Sequence, residues 1–158
     1  MERAFGQEES IMRIRTTRFG LVDVVADDIF VFPNGLVGYP SARHFVLLTD
    51  SRDSQVVWLQ SLSDPQLAFA AVNPSAFVDG YRVCATGSQL APLGQRSDAP
   101  LHVLALVSAQ NGSLCLNLKA PILLDPRRAV GCQVVTSDDQ PMRAAIADLP
   151  AAPLRRAA

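Results

Sequence analysis

The chain has no surplus of basic charge. Its 158 residues carry 14 Lys and Arg against 15 Asp and Glu, a formal net charge of -1. Nucleic-acid binders draw most of their affinity from phosphate contacts and usually show a basic excess, so RNA or DNA is not the expected partner. A long apolar run is also missing. No stretch approaches the roughly 20 residues needed to cross a bilayer, and the opening MERAFGQEESIMRIR is too polar for a secretory core. The expectation is a cytoplasmic protein without membrane contact. Cysteine is sparse and scattered: Cys84, Cys115 and Cys132 form no C-x-x-C pair. An odd set of isolated thiols in apolar surroundings reads as buried filler, not as a disulfide or metal framework.

What is present is an ordinary globular balance. Hydrophobic residues make up 49% and charged residues 18%, which excludes a disordered chain, and the length suits one domain with its own core. The first eleven residues are polar and aperiodic and read as a mobile arm; residues 148–158, LPAAPLRRAA within them, read as a flexible tail. Between them, over 12–147, short β-type runs alternate with turn residues. In MRIRTTR, Ile14 and Thr16 share one face while Arg13 and Arg15 share the other. FGLVDVV, DIFVF, RHFVLL, VVWLQSL, QLAFAAV, YRVCA, LHVLALVSA, SLCLNLK, PILL and VGCQVVT complete the set. Asn111-Gly112 between two apolar runs is the strongest hairpin signal, because both residues accept positive φ. GSQLAPLGQRSDAP breaks the rhythm as a loop with one helical turn, and MRAAIADL is the sole stretch with a longer helical pattern. The fold class is therefore all-β: one compact barrel-like or sandwich domain of about ten short antiparallel strands with little helix.

Reactive constellations are few. Nucleophilic catalysis wants Ser or Cys beside His with an orienting acid, and no G-x-S-x-G elbow occurs. His44 and His102 each open a strand after a turn, where a solvated structural role is expected. A small β-barrel hydrolase using His44 or His102 with a cysteine is the alternative reading, and it requires one of them within hydrogen-bond reach of Cys84, Cys115 or Cys132. Asp27-Asp28 and Asp138-Asp139 are adjacent pairs that read as turn residues rather than paired catalytic carboxylates. Arg127-Arg128 and Arg155-Arg156 lack interleaved aromatics and read as a solvated turn and tail. No phosphate loop, metal site or cofactor is implied. By elimination the chemistry is binding.

One stretch asks for more. In WLQSLSDPQLAFAAVNP, residues 58–74, a hairpin accounts for the apolar residues and for the Ser63-Asp64-Pro65 turn. It leaves over Gln60 beside Trp58, and Asn73 at the strand exit. Asn117 and Lys119 likewise share the face opposite Leu116 and Leu118 without an evident structural role. Those four polar residues, with Trp58 as an exposed anchor, are the expected partner-binding set.

The segment VVWLQSLSDPQLAFAAVNP resembles the W-L-Q-S-x-x-D-P-x-L-A-F-x-V-x-x-P signature of the flagellar assembly factor FliW family. TTRFGLVDVVADDIFVFPNGLVGYPSARHFVLL is similar to that family's T-x-x-F-G and I-x-F-P-x-G-L-x-G-F-x-x-x-x-x-F-x-L-L patterns. Residues 113–135, SLCLNLKAPILLDPRRAVGCQVV, resemble its T-V-N-L-x-A-P-I-x-I-N-P-x-x-R-x-x-x-Q-V-V pattern. Three colinear motifs across about residues 14 to 136 make a specific signal. The resemblance implies a non-enzymatic, compact β-barrel-like protein of the bacterial cytoplasm. It implies two competing protein partners: the translational regulator CsrA, whose repression of flagellin translation the protein relieves, and flagellin itself. Such a protein would couple flagellin synthesis to flagellum assembly.

Overall fold

The computed structural model describes residues 10–50, 52–94 and 100–148. Eleven strands and one short helix are found there: β1 (Ile11–Thr16), β2 (Gly20–Val25), β3 (Ile29–Val31), β4 (His44–Asp50), β5 (Asp53–Ser61), β6 (Ala68–Val72), α1 (Gly87–Leu90), β7 (His102–Gln110), β8 (Ser113–Leu116), β9 (Ile122–Asp125), β10 (Val130–Gln133) and β11 (Ala144–Ala145). Single 3-10 turns occupy Ala26–Asp28, Pro74–Ala76, Ala91–Leu93 and Ile146–Asp148. Seven of the strands close a barrel in the order β3-β4-β5-β6-β7-β9-β10 and back to β3. The all-β expectation holds.

Strand β7 is what lets one chain build both a barrel and an annex. Its first residues, His102–Leu104, pair with β9 inside the barrel wall, and Val107–Gln110 pair with β8 instead. β8 then carries β11 along its other edge. The β7–β8 turn is the expected two-residue loop, with Asn111 at φ 50° and Gly112 at φ 80° between the paired Gln110 and Ser113.

Period-2 alternation decides what fills the barrel. Phe32, Phe45, Leu59, Ala71, Leu104, Ile122 and Leu124 point inward and form its core, with Phe32 and Phe45 edge-on at 5.3 Å. Each large side chain so buried contributes about 1.5–3 kcal/mol. Gly131 has no side chain because none fits: a Cβ there would lie 2.6 Å from Phe32 Cζ and 2.8 Å from Leu124 Cδ2. Leu36, in the loop after β3, plugs the barrel mouth, and that loop turns tightly at Gly35, φ 65°.

The outer wall is covered in patches. The β1–β2 hairpin lays Ile14, Val22 and Val24 over Val46 and Leu48 of β4 and over Leu62, just past the end of β5. The chain from Val83 to Leu93 covers Val103, Leu123, Cys132 and Val134. A third cluster joins Val72, Ala105, Leu116 and Leu118 to Phe77, Tyr81 and Ile146.

Three expectations change. YRVCA, residues 81–85, is extended but is not a strand. Its backbone is held instead by the Thr136 hydroxyl, which accepts from Cys84 N at 2.8 Å, and by Ser137 N, which donates to Cys84 O at 2.9 Å. MRAAIADL is not an α-helix over its described residues, where Ile146–Asp148 makes a single 3-10 turn. Ala144 and Ala145 pair with Leu116 and Cys115 as β11, because the free edge of β8 supplies ladder bonds that an isolated short helix lacks. Ile11, the last residue of the span expected to be an arm, belongs to β1; residues 1–9 and 149–158 lie outside the described residues. Among the described residues no helix is long and apolar enough to cross a membrane.

Candidate functional site

The outer face of β5 carries Val56, Trp58 and Gln60 in succession, and the last two define the site. Gln60 is fully buried. Its Nε2 lies within donating distance of four backbone carbonyls: Ser61 O at 3.1 Å, Asp64 O at 3.4 Å, Pro65 O at 3.3 Å and Leu67 O at 3.3 Å. The amide is thus the centre of the β5–β6 turn. Asp64 Oδ1 accepts from Gln66 N, and Ser61 Oγ accepts from Ser63 N and Asp64 N, so the S-D-P turn is tied from both sides.

Trp58 is half-buried, flanked across the ladder by Leu48 of β4 and Ala70 of β6. The β1–β2 turn leans over it. Phe19 meets the indole edge-on at 6.1 Å, and the Arg18 guanidinium carbon sits 4.0 Å from the ring centroid. Thr17 N donates to Pro65 O at 2.9 Å, fastening that turn to the one Gln60 organises. Thr16 Oγ1 donates to Gly20 O and accepts from Phe19 N, both at 2.8 Å, which shapes the hairpin tip. Beside Arg18 lies a cavity of about 320 Å³ lined by Thr17, Arg18, Pro65, Gln66 and Ala68. Two polar atoms here are buried without a hydrogen-bond partner, Trp58 Nε1 and Gln60 Oε1. The half-buried indole and the Arg18 cation above it can grip a protein surface through apolar contact and a polar rim.

The structure does not bring the other expected contact residues to this place. Asn73 is exposed after β6, where its Oδ1 caps the following turn by accepting from Ser75 N at 3.0 Å. Asn117 Oδ1 accepts from Lys119 N at 3.1 Å and Ala120 N at 3.0 Å, making the bend after β8. Lys119 Nζ donates to Asp138 O at 2.8 Å. The premise that Gln60, Asn73, Asn117 and Lys119 lack a structural role therefore fails: each one shapes or ties a turn. Around Lys119, Asp138 accepts from the Thr136 hydroxyl and from Gln140, which holds its carboxyl below the usual range. Tyr81 donates to Leu118 O at 2.6 Å, and burial, with Asp138 nearby, pushes its phenol up to about 12.

Arg18 and Phe19 were missed as site residues. Both lie in the quoted TTRFG motif, where Phe19 reads as core; nothing in a linear pattern reports that the hairpin tip folds back onto residue 58.

His44 and His102 are both exposed and face Val31 and Leu124 across their ladders. Cys84, Cys115 and Cys132 are free thiols; among the described residues the one thiol hydrogen bond runs from Cys132 Sγ to Gln89 O at 3.9 Å. Burial pushes the Cys132 thiol up to about 11, away from reactivity. The His–Cys pairing that the hydrolase reading requires is not formed among these residues. No cluster of three or more His, Cys, Asp or Glu that could hold a metal ion occurs among them either.

Comparison with known proteins follows the same direction. The family model described as FliW protein matches residues 13–146. The chain belongs to the FliW family. Flagellar assembly factor FliW of Syntrophotalea carbinolica is 33% identical over 125 residues, covering 78% of this chain and 89% of that protein. Flagellar assembly factor FliW 2 of Desulfotalea psychrophila is 32% identical over 124 residues, covering 78% of this chain and 82% of its own. A crystal structure of the flagellar assembly factor FliW superposes with a TM-score of 0.78 at 23% identity, over 85% of this chain and 96% of that one. That likeness is one of fold. The barrel with its hairpin and annex is a FliW architecture.

Proposed function

We propose that this chain is a cytoplasmic, non-enzymatic flagellar assembly factor that binds CsrA and flagellin in competition, and so couples flagellin synthesis to flagellum assembly. The observation that carries the reading is the FliW match over residues 13–146. The three sequence motifs lie within that span, and their turn residues stand where the barrel needs them.

The contact is proposed at the Trp58–Arg18 face. Trp58 supplies a large half-buried ring, Arg18 a charge that can turn from the ring to a partner's acid, and Ala68 and Ala70 leave shallow relief beside them. Gln60 supports the face from below; Asn73, Asn117 and Lys119 fix loops away from it. A net charge of -1 gives little long-range repulsion against RNA, so antagonism of CsrA by this chain rests on occupancy or on a shift in CsrA shape.

Titration calorimetry of the chain against CsrA, and separately against flagellin, from the same organism tests the proposal. Binding of both, with release of leader RNA from CsrA, is the expected result. Binding of flagellin alone would remove the translational role. Binding of neither at micromolar concentration would leave the fold without the function.

A further inference from the structure

The barrel wall has one weak seam. β3 and β10 run parallel and share a single registered pair, Val31 with Val130, next to which Val31 N donates to Ala129 O at 3.0 Å. Beyond that pair the strands part. The chain after β3 turns into the 33–37 loop, while β10 continues in extended form to Thr136. Along its β9 side the ladder persists, with Val134 N donating to Pro121 O and Thr136 N to Lys119 O, both at 3.0 Å. Backbone groups alternate in direction along an antiparallel strand, so those of Gln133 and Val135 point the other way, into the gap.

Two side-chain amides occupy the place of the missing strand. Gln89 Nε2 donates to Val135 O at 2.9 Å, and Gln133 Oε1 accepts from Val37 N at 2.8 Å. Gln89 is held for this by the capping box of α1, in which its Oε1 accepts from Thr86 N at 2.8 Å. Between them lies a cavity of about 320 Å³, lined by the 34–37 loop, by Ser88, Gln89 and Pro92, and by residues 132–135 of β10 and its extension, none of which is charged. Its rim presents two bare apolar side chains, Val37 at 69% exposure and Val135 at 48%.

We infer that this gap is a docking slot for an extended, uncharged segment of a partner protein, which adds as a strand along Gln133–Thr136. The segment's backbone takes over Val135 O from Gln89 and reaches the gap-facing groups of Gln133 and Val135. Val37 and Val135 receive its small apolar side chains. A charged side chain is rejected, since the slot offers no counter-charge to offset its desolvation. The slot is separate from the Trp58–Arg18 face and stands or falls without it.

The test uses the full chain, isotope-labelled, and an acetylated and amidated peptide Ser-Val-Thr-Val-Ser as probe, followed by NMR. The expected result is saturable shifts of the Val37, Gln133 and Val135 amides and of the Gln89 side-chain amide. Methylating alternate peptide nitrogens should weaken binding by roughly tenfold or more, the loss of backbone hydrogen bonds. Replacing either Val of the peptide by Asp should weaken it similarly, through desolvation of a charge against Val37 and Val135. Val135→Pro removes a gap-facing N–H outside the β9 ladder and should abolish the shifts; the methylated peptide keeps the test valid if that variant misfolds. No shifts up to millimolar peptide, shifts at other residues, or equal binding of the methylated peptide would overturn the inference. So would the same shifts produced by concentrating the protein alone, which would give the slot to a second copy.

Discussion

Arg18 lies with its guanidinium carbon 4.0 Å from the centroid of the Trp58 ring, capping from the β1–β2 turn an indole that belongs to β5. An exposed cation–π contact of this kind is worth about 0.5–1 kcal/mol, too little to hold the fold but enough to set the posture of the hairpin tip. Because Trp58 is the sole tryptophan, its fluorescence reports on this one contact.

Arg18→Ala should therefore leave the unfolding midpoint nearly unchanged, move the emission to longer wavelength and increase quenching by acrylamide. It should also weaken partner binding if the face is used as proposed. An emission spectrum identical to that of the parent would show that Arg18 does not shield the ring.

Gln60→Leu should destabilise the protein by about 1–3 kcal/mol, the range for removing a buried hydrogen-bonding group and leaving its partners unsatisfied. The amide ties the β5–β6 turn, so the loss belongs to folding. Urea denaturation measures it, and a variant of parental stability with weakened partner binding would return Gln60 to the role of a contact residue.

Gly131→Ala should cost about 1–3 kcal/mol through overpacking, because the added methyl meets the Phe32 ring and Leu124. Backbone conformation is not at issue, since Gly131 is not among the positive-φ glycines. An unchanged denaturation midpoint would mean that the barrel core yields more readily than the geometry indicates.

Stability should fall as pH rises through the window from 9 to 11. Burial raises the Cys132 thiol from 9.0 to about 11, and the Tyr81 phenol moves from 10.0 to about 12. Below pH 9 folded and unfolded chains both hold these protons. Above it the unfolded chain releases the thiol proton first, so it gains stability relative to the fold. Tm measured across this range should drop, and Cys132→Ala should show a shallower drop. A flat profile would contradict the burial of that thiol.

The strand pattern was readable because alternation is local. Ile14 and Thr16 are buried and Arg13 and Arg15 exposed, as period 2 requires, and Asn111-Gly112 makes its turn wherever the hairpin sits. YRVCA has strand composition but no strand, since pairing depends on which edge lies beside it, and here Thr136 takes that place with a side chain. MRAAIADL met the opposite fate when β8 offered it an edge. The candidate site was the least legible. Gln60 looked idle because its four carbonyl acceptors lie in the turn that follows, and their convergence on one amide is set by chain reversal. Arg18 reached Trp58 from forty residues away in sequence, a distance that no spacing rule covers.

The parallel seam between Val31 and Val130 also bears on how the chain is born. These residues lie roughly a hundred positions apart, so closing the barrel joins the ends of a long loop. On the ribosome β3 emerges early and waits, one edge unpaired, until β10 has been translated. A nascent or prematurely ended chain is then an open, curved sheet with a free edge, the form most prone to join a neighbour. The arrival of β9 and β10 is what turns that sheet into a closed surface.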